Sequence, residues 1–431
     1  MPRLPDPRFA PDCAILVDGA RVPARAGESV AVALVAAGRP LVSRSYKYHR
    51  PRGPFCLAGS CGGCLARIDG EPSRRTCRVP CRDGLRVQTQ NAFPGARHDL
   101  LRVIDLAAPH GLDHHHLLTF SPTATRAVVA VSRKLAGLGR LADRLPEPPP
   151  PAVLERWDAL VIGAGPAGLG AAEVLAAGGR RVLLAEQEPR AGGRLRAELP
   201  LPGEPPLAWA GEVAGRVARA GGELALGSAA LGIWNDGGAP LVAVAVSAPS
   251  PRLRLVRAGA IVLAAGGTAQ PPIFARNDLP GIFSGRALAA ALGEHGLVPG
   301  ARCLVLGDGP EADAVAARLA AGAMEVERAP GRAASARGGA RVSEVVLAGG
   351  RRVRCDVLAA VAPPAPALEL AREAGARIDF HPELLAFAVA TDASGRTGVP
   401  GLFAAGELTG LRDGAAAAEA GRRAGEAALH G

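Results

Sequence analysis

Four cysteines stand at a spacing suited to redox chemistry: Cys56, Cys61, Cys64 and Cys77, with four, two and twelve residues between them. An iron–sulfur cluster needs four thiolates converging on a compact core. A C-x4-C-x2-C run with a later cysteine is the plant-type [2Fe–2S] arrangement. One loop can wrap the cluster with the first three ligands. Gly59, Gly62 and Gly63 lie among them, where the lack of side chains lets backbone N–H groups point at sulfur. The fourth cysteine returns after a hairpin turning at Asp69-Gly70. A redox disulfide at Cys61–Cys64 would need a thioredoxin-like βαβ context, which is missing from the flanks. Zinc usually takes two close pairs, and here there is one. The expected metal ligands are therefore Cys56, Cys61, Cys64 and Cys77. Cys81, four residues further on, is either an alternative fourth ligand or a spare small apolar residue. Cys13, Cys303 and Cys355 sit beside apolar segments and read as inert core residues.

A second chemistry is carried by glycines. The apolar run WDALVIG leads into Gly163-Ala164-Gly165-Pro166-Ala167-Gly168, then a helical stretch Leu169–Ala177, then a strand ending at Glu186. This is G-x-G-x-x-G in its required context: strand before, helix after, acid about 20 residues on. Gly163 permits the tight turn, Gly165 admits the pyrophosphate, and Gly168 lets helix and strand pack. The helix N-terminus stabilises phosphate charge. Glu186 would bind a ribose and repel a 2′-phosphate, so FAD or NAD fits and NADP does not. Two further segments favour FAD: Gly192-Gly193-Arg194 after the second strand, and VPGLFAAGE, a strand ending at Gly406 and Glu407. Two-dinucleotide flavoproteins return to the flavin through such a segment, usually with Asp where Glu407 stands. The strand IVLAAGG (261–267), ending in Ala265 and Gly266, is where those proteins cross to a second nucleotide domain. That domain has its own fingerprint, Gly307-Asp308-Gly309-Pro310-Glu311-Ala312, followed by a helix to Ala321 and a strand ending near Glu327. Asp308 is a poor neighbour for a pyrophosphate. The second site is open between NAD binding and a vestigial domain that binds nothing. No nucleophile–base pair stands out, and no catalytic side chain is nominated.

Elements must position these groups. Asp18-Gly19 between Ala14–Val17 and Ala20–Pro23 signals a hairpin. Ser29–Ala37 reads as an amphipathic helix, and Leu65–Ile68 and Leu85–Thr89 as short strands. Residues 99–107 and 125–140 carry helical patches, and Ala415–Ala428 a terminal helix. The prolines at 146 and 148–151 form a stiff spacer. Beyond it strand and helix signals alternate, as in a doubly wound α/β fold. The expected class is α/β: an α+β ferredoxin-like (β-grasp) domain, then a two-dinucleotide-binding Rossmann-like flavoprotein fold with a shortened second nucleotide domain. The expected domains are 1–95 (ferredoxin-like), 96–150 (connector), 151–281 with 363–431 (FAD), and 282–362 (second nucleotide).

Composition narrows the function classes. The 431 residues are 48% apolar, enough for a sizeable core despite 56 glycines and 38 prolines. The formal charge is +10, and residues 1–150 hold all of the excess, with 22 basic and 12 acidic residues. Four thiolates around an oxidised two-iron core carry about −2, so the loaded first third is nearer about +8. Arg67, Arg74, Arg75, Arg78, Arg82 and Arg86 would form a collar around that anionic centre and a docking face for an acidic partner. Ser45–Arg52 interleaves basic and aromatic residues, but no nucleic-acid motif accompanies it, so no nucleic-acid partner is expected. His114, His115 and His116 cannot all face one ion on regular structure. Met1–Asp12 is proline- and charge-rich rather than a secretory signal, and no run of about 20 apolar residues occurs, so the expectation is a cytoplasmic protein with no integral membrane segment.

The order of parts resembles the α subunit of heterotetrameric sarcosine oxidase. Its relatives include subunits of hydrogen cyanide synthase and of dye-linked proline, hydroxyproline and opine dehydrogenases. The matching stretches are SYKYHRPRG (45–53), the cysteine loop, TQNAFPG (89–95), KLAGLGRL (134–141), WDALVIGAGPAGLGAAEVLAAGGRRVLLAEQ and VPGLFAAGE. Sarcosine oxidase α continues into a folate-binding domain, whereas this chain stops at Gly431, so folate chemistry is not expected. That subunit also lacks cluster cysteines, which places this sequence nearer the cyanide synthase and dye-linked dehydrogenase branch. The resemblance implies FAD and a [2Fe–2S] cluster. It implies a separate flavin-containing subunit that oxidises an amine or amino acid of the sarcosine, proline, hydroxyproline, opine or glycine type. It also implies a small-molecule or protein electron acceptor. Two other readings stand beside it: a self-contained NAD(P)H:acceptor reductase, and a scaffold subunit with a structural nucleotide.

Overall fold

Two tight turns shape the N-terminal sheet. Asp18 and Gly19 (φ 48° and 84°) join strands β1 (Cys13–Val17) and β2 (Ala20–Ala24), with helix α1 (Val30–Ala36) following. Asp69 and Gly70 (φ 48° and 88°) join β3 (Leu65–Ile68) and β4 (Glu71–Arg75), and β5 (Arg86–Gln88) completes the sheet. Left-handed conformation at both central residues matches the twist of a two-residue hairpin. The computed structural model describes residues 3–46, 48–103, 121–135, 141–143, 148–198, 208–237, 239–247, 251–382 and 384–430, without the side chains of 128 and 131–135. The strand order is β2-β1-β5-β3-β4, with β1 and β5 parallel and each hairpin antiparallel. Period-2 alternation turns Ile15, Val17, Val22 and Ala24 inward. They meet α1, whose VAVALVA sequence is apolar all round and buried at every position. Ser29 caps α1 by accepting from the Val32 amide at 3.3 Å. This is a β-grasp domain.

The loop before the cysteines is pinned by a buried polar group that sequence reasoning missed. His49 Nδ1 lies 2.9 Å from Asp99 Oδ2, and both side chains are buried. Asp99 Oδ1 accepts from the Phe93 and Leu101 amides. Arg44, also buried, donates to the carbonyls of Ala96 and His49. The basic and aromatic run at 45–52 was the only local signal, and the carboxylate partner lies 50 residues away. Helix α2 (Pro122–Leu135) follows. His114–His116, residues 104–107 of the first helical patch, residues 136–140 of the connector, and Pro146 lie outside the described residues.

Strand β6 (Val153–Ile162) begins four residues earlier than its apolar run, and only its last four residues are buried. It feeds α3 (Pro166–Ala177), β7 (Val182–Glu186), α4 (Trp209–Arg219) and β8 (Glu223–Leu226). An antiparallel excursion follows, β9 (Ser228–Asp236) and β10 (Ala239–Val246), leading to β11 (Arg252–Leu263). The chain then builds a small parallel sheet from β12 (Ile282–Ser284), α5 (Gly285–His295), β13 (Arg302–Leu306), α6 (Pro310–Ala321) and β14 (Glu325–Ala329). A three-stranded antiparallel sheet, β15 (Ala333–Gly338), β16 (Val342–Leu347) and β17 (Arg352–Arg354), interrupts it before β18 (Val357–Ala360). The small sheet runs β12-β18-β13-β14. The chain returns through β19 (Leu402–Ala404) and α7 (Gly414–His430).

In the larger sheet β8, β7, β6 and β11 are parallel neighbours in that order. β11 is long enough to serve two partners on one side. Its first half pairs antiparallel with β10, and Ile261–Leu263 pair parallel with β19. Gly267–Thr268 and Ala365–Pro366, where the chain leaves and returns, pair antiparallel. Two compact units result: Met1–Pro146 with Gln270–Ala362, and Glu147–Ala269 with Pro363–Gly431. No helix among the described residues is long and apolar enough to cross a membrane.

Candidate cofactor sites

The cysteine loop brings Cys56, Cys61, Cys64 and Cys77 together. The Cys56 thiol is within hydrogen-bond reach of those of Cys61 and Cys77, and the Cys64 thiol of that of Cys77. Backbone N–H groups aim at the sulfurs: Ala58 and Cys61 donate to Cys56 Sγ at 3.4 Å, and Gly63 donates to Cys61 Sγ at 3.5 Å. Thr76 locks the fourth position, its amide and hydroxyl both donating to the Cys64 carbonyl at 2.9 Å. The thiols share protons unequally. Donation from Cys61 and Cys77 holds Cys56 far below the usual thiol range, and donation from Cys77 brings Cys64 down to about 6. Cys61 and Cys77, each donating to Cys56, are pushed up. A loop that gathers four thiols and directs N–H groups at the Cys56 and Cys61 sulfurs fits an anionic, cysteine-ligated cluster.

Cys81 lies elsewhere. It packs in the β-grasp core with Ile15, Val30 and Leu85, and burial pushes its thiol up to about 12. Burial does the same for Cys303, to about 12, and Cys355, to about 11, and raises Cys13 as well. Such thiols are poor nucleophiles and poor ligands. Around the cysteine loop, Arg74 pairs with Glu71, Arg82 with Asp69, and Arg67 with Asp143. The Arg78 side chain lies over the loop, so that a Cβ on Gly59 would sit 2.9 Å from its Cδ. Arg75 and Arg86 are exposed.

At the first fingerprint, Gly163 follows β6 with φ 102°, and a Cβ there would lie 2.3 Å from the Ala264 carbonyl oxygen, with Ala265 alongside. A Cβ on Gly168 would lie 1.7 Å from the Gly163 carbonyl oxygen, so α3 can approach its strand only with glycine there. Gly165 differs. It is the N-cap of α3 in an extended conformation, and a Cβ there would meet only Gly193 Cα, at 3.8 Å. Packing leaves that position open, just where the helix N-terminus presents its unpaired N–H groups. Pro166 opens the helix at its first position.

The other candidates gather around it. Gly193 packs directly on Gly165, and Gly406 on Ala167. Glu407 lies near Gly266 and takes an ion pair from Arg194 at 3.1 Å. Arg194 also donates to the Arg412 carbonyl. This pairing accommodates the longer glutamate where aspartate is usual. Glu186 is buried, and its two oxygens accept from the Ala164 amide at 2.6 Å and the Glu188 amide at 2.8 Å. Burial raises its carboxyl above the usual range, against the lowering effect of those two amides. A carboxylate has about four acceptor positions, so two remain for ribose hydroxyls. An open helix N-terminus beside a buried acid fits a dinucleotide without a 2′-phosphate.

The second fingerprint repeats the strand–loop–helix path but not the loop backbone: its helix N-cap, Gly309, has φ 80°, where Gly165 has φ −76°. Gly307 follows β13 with φ 146° and donates to the Ala329 carbonyl at 3.2 Å, as Gly163 donates to Ala185 at 2.8 Å. Gly309 caps α6, and Ala312 is buried. The strand ends at Ala329, two residues beyond Glu327, which is exposed and paired with Arg351.

A plant-type ferredoxin-like domain fused to a Rossmann-like flavoprotein fold is the class these features define. Residues 12–92 match the 2Fe-2S iron-sulfur cluster binding domain, and residues 161–207 the NAD(P)-binding Rossmann-like domain. Over 358 residues the chain is 29% identical to sarcosine oxidase subunit alpha of Rhizobium meliloti (strain 1021), which covers 77% of this chain and 36% of that one. It therefore spans about a third of that relative's length. It is 40% identical over 80 residues to hydrogen cyanide synthase subunit HcnA of Pseudomonas aeruginosa, covering 19% of this chain and 76% of that one. The chain belongs to this sarcosine oxidase alpha subunit-like and hydrogen cyanide synthase-like family. The crystal structure of L-proline dehydrogenase from P. horikoshii has the same fold, with TM-score 0.75 at 21% identity over 97% of this chain and 73% of that one.

Proposed function

We propose that this chain is the electron-transfer subunit of a heteromeric amine or amino-acid dehydrogenase or oxidase. It holds FAD at the first fingerprint and a [2Fe–2S] cluster at the cysteine loop. A separate flavin-containing subunit oxidises the amine, of the sarcosine, proline, hydroxyproline, opine or glycine type, and a small molecule or protein accepts the electrons. The observation that carries the reading is the convergence of four thiols in a chain that also presents an open, acid-flanked helix N-terminus. When bound, a flavin takes electrons in pairs and an iron–sulfur centre passes them singly.

The chain's own residues bind and orient. Cys56, Cys61, Cys64 and Cys77 would hold the two-iron cluster, with the Ala58, Cys61 and Gly63 amides stabilising charge on sulfur. Gly165 and the start of α3 receive the pyrophosphate, and Glu186 holds the ribose. Gly193, Arg194, Ala265, Gly266, Gly406 and Glu407 line the flavin side. The test is reconstitution. The chain alone, with both cofactors, should not oxidise an amine to a dye acceptor, and adding the oxidising subunit should confer that activity. Amine oxidation by the chain alone would contradict the division of labour.

A further inference from the structure

The two fingerprints can be compared position by position. Ile162 pairs with Ala185 and Leu306 with Ala329, so Gly163 corresponds to Gly307, and the residue that follows Ala185 is Glu186 whereas the one that follows Ala329 is Pro330. The ribose-binding acid is therefore missing at the second site. A carboxylate stands instead within the phosphate loop: Asp308 takes the position of Ala164, and its Oδ1 accepts from the Gly331 amide at 3.0 Å. Glu311 and Asp313 add two more acids in the first turn of α6. Arg328 lies along the loop, donating to the carbonyls of Gly307 at 2.5 Å and Ala329 at 2.8 Å and to Asp313 at 3.0 Å. Negative side chains at a helix N-terminus compete with a phosphate for the same field. These residues do not fit a dinucleotide.

The same domain is tied to the β-grasp domain along its β12 edge. Arg3 forms a two-toothed ion pair with buried Glu28, at 2.7 and 2.9 Å, and donates to the His295 carbonyl at the end of α5. Phe9 packs against Gly296, where a Cβ would lie 2.4 Å from the ring. Nearer the cysteines, Arg52 pairs with Asp278, and Gly53 abuts Pro280. The Ser284 amide, at the end of edge strand β12, donates to the Phe55 carbonyl at 3.0 Å. Phe55 immediately precedes Cys56. An edge strand's outward amide is thus satisfied by the loop that carries the first thiol.

We infer that the small nucleotide domain binds no dinucleotide and serves as the seat of the cluster loop, with Ser284 and Asp278 as positioning residues that act on Cys56 through Phe55 and Arg52. The inference rests on the cysteine loop holding the cluster, as proposed above. Ser284→Pro removes the donor while keeping a compatible backbone, since Ser284 has φ −63°. Asp278→Asn removes the ion pair, and serves if the first variant fails to fold.

The test uses the purified full chain with its cofactors, after iron and sulfide assay. Each variant should shift the g-values of the reduced cluster in electron paramagnetic resonance. Amide exchange at residues 54–64 should rise about fivefold, the factor carried by one net hydrogen bond, with the flavin absorbance unchanged. Titration with NAD⁺, NADH, NADP⁺ and NADPH should give no binding heat and no flavin reduction. An unchanged cluster spectrum and unchanged exchange in a variant with normal iron content would overturn the seat alone. Binding of any of the four nucleotides to the FAD-loaded chain would overturn the loss of the second site. Wild-type protein without iron would overturn the cluster assignment and the seat together.

Discussion

Cys77 and Cys81 are four residues apart and belong to different surroundings. Cys77 packs with Cys64, Ala31 and Leu57, whereas Cys81 lies in the β-grasp core and ladders with the Glu28 carbonyl at 2.7 Å. Cys77→Ser should therefore abolish the visible absorbance of the cluster. Cys81→Ser should keep it and cost about 1–3 kcal/mol of stability by burying a hydroxyl. Loss of the cluster in Cys81→Ser, with its retention in Cys77→Ser, would exchange their roles. Glu186 gives a second test at this scale. Burial raises its carboxyl in the nucleotide-free protein. Its contribution to stability is full below the ordinary carboxylate value and is lost as pH rises through the raised one. The Tm of Glu186→Gln relative to wild type should therefore climb as pH rises above the ordinary carboxylate value. A pH-independent difference would show that the carboxyl is not held neutral by burial. The cysteine spacing was legible because a cluster loop is a local motif. Pro330 was not, since finding it takes a strand register, and a two-residue shift in the end of β14 moves attention to Glu327.

At the scale of elements, the two fingerprint glycines divide cleanly between packing and ligand. Gly168 has the Gly163 carbonyl where a Cβ would go, while Gly165 faces open space. Gly168→Ala should force α3 off β6 and lower stability by about 1–3 kcal/mol. Gly165→Ala should leave the Tm of the nucleotide-free protein within about 1 °C, within the range of a ±0.5 kcal/mol surface change, yet abolish flavin retention on purification. Equal loss of Tm in both would mean that Gly165 is a packing glycine as well. Strands with an apolar period, and helices between capping signals, were readable. The edge strand β4 was legible only through the Asp69-Gly70 turn, since EPSRR is intermediate or exposed at every position and has no apolar alternation. The small domain's second sheet, β15–β17, was missed for a related reason: its short strands alternate weakly among arginines. The Arg3, Phe9 and Ser284 contacts were invisible because their partners lie up to nearly 300 residues away.

At the scale of the whole molecule, the positive charge of the first third is partly spent within the protein. Arg67, Arg74 and Arg82 are ion-paired close to the cysteine loop, and Arg78 covers it. Arg75 and Arg86 are exposed. In the function proposed here one chain carries both a flavin and a two-iron centre. The most direct measurement is a count of acid-released flavin, iron and sulfide in the purified full chain, with electron paramagnetic resonance after dithionite reduction. The expected result is about one FAD, two irons and two sulfides per chain, with the signal of a reduced [2Fe–2S] centre. Zinc in place of iron, or a nucleotide other than FAD at the first fingerprint, would contradict it.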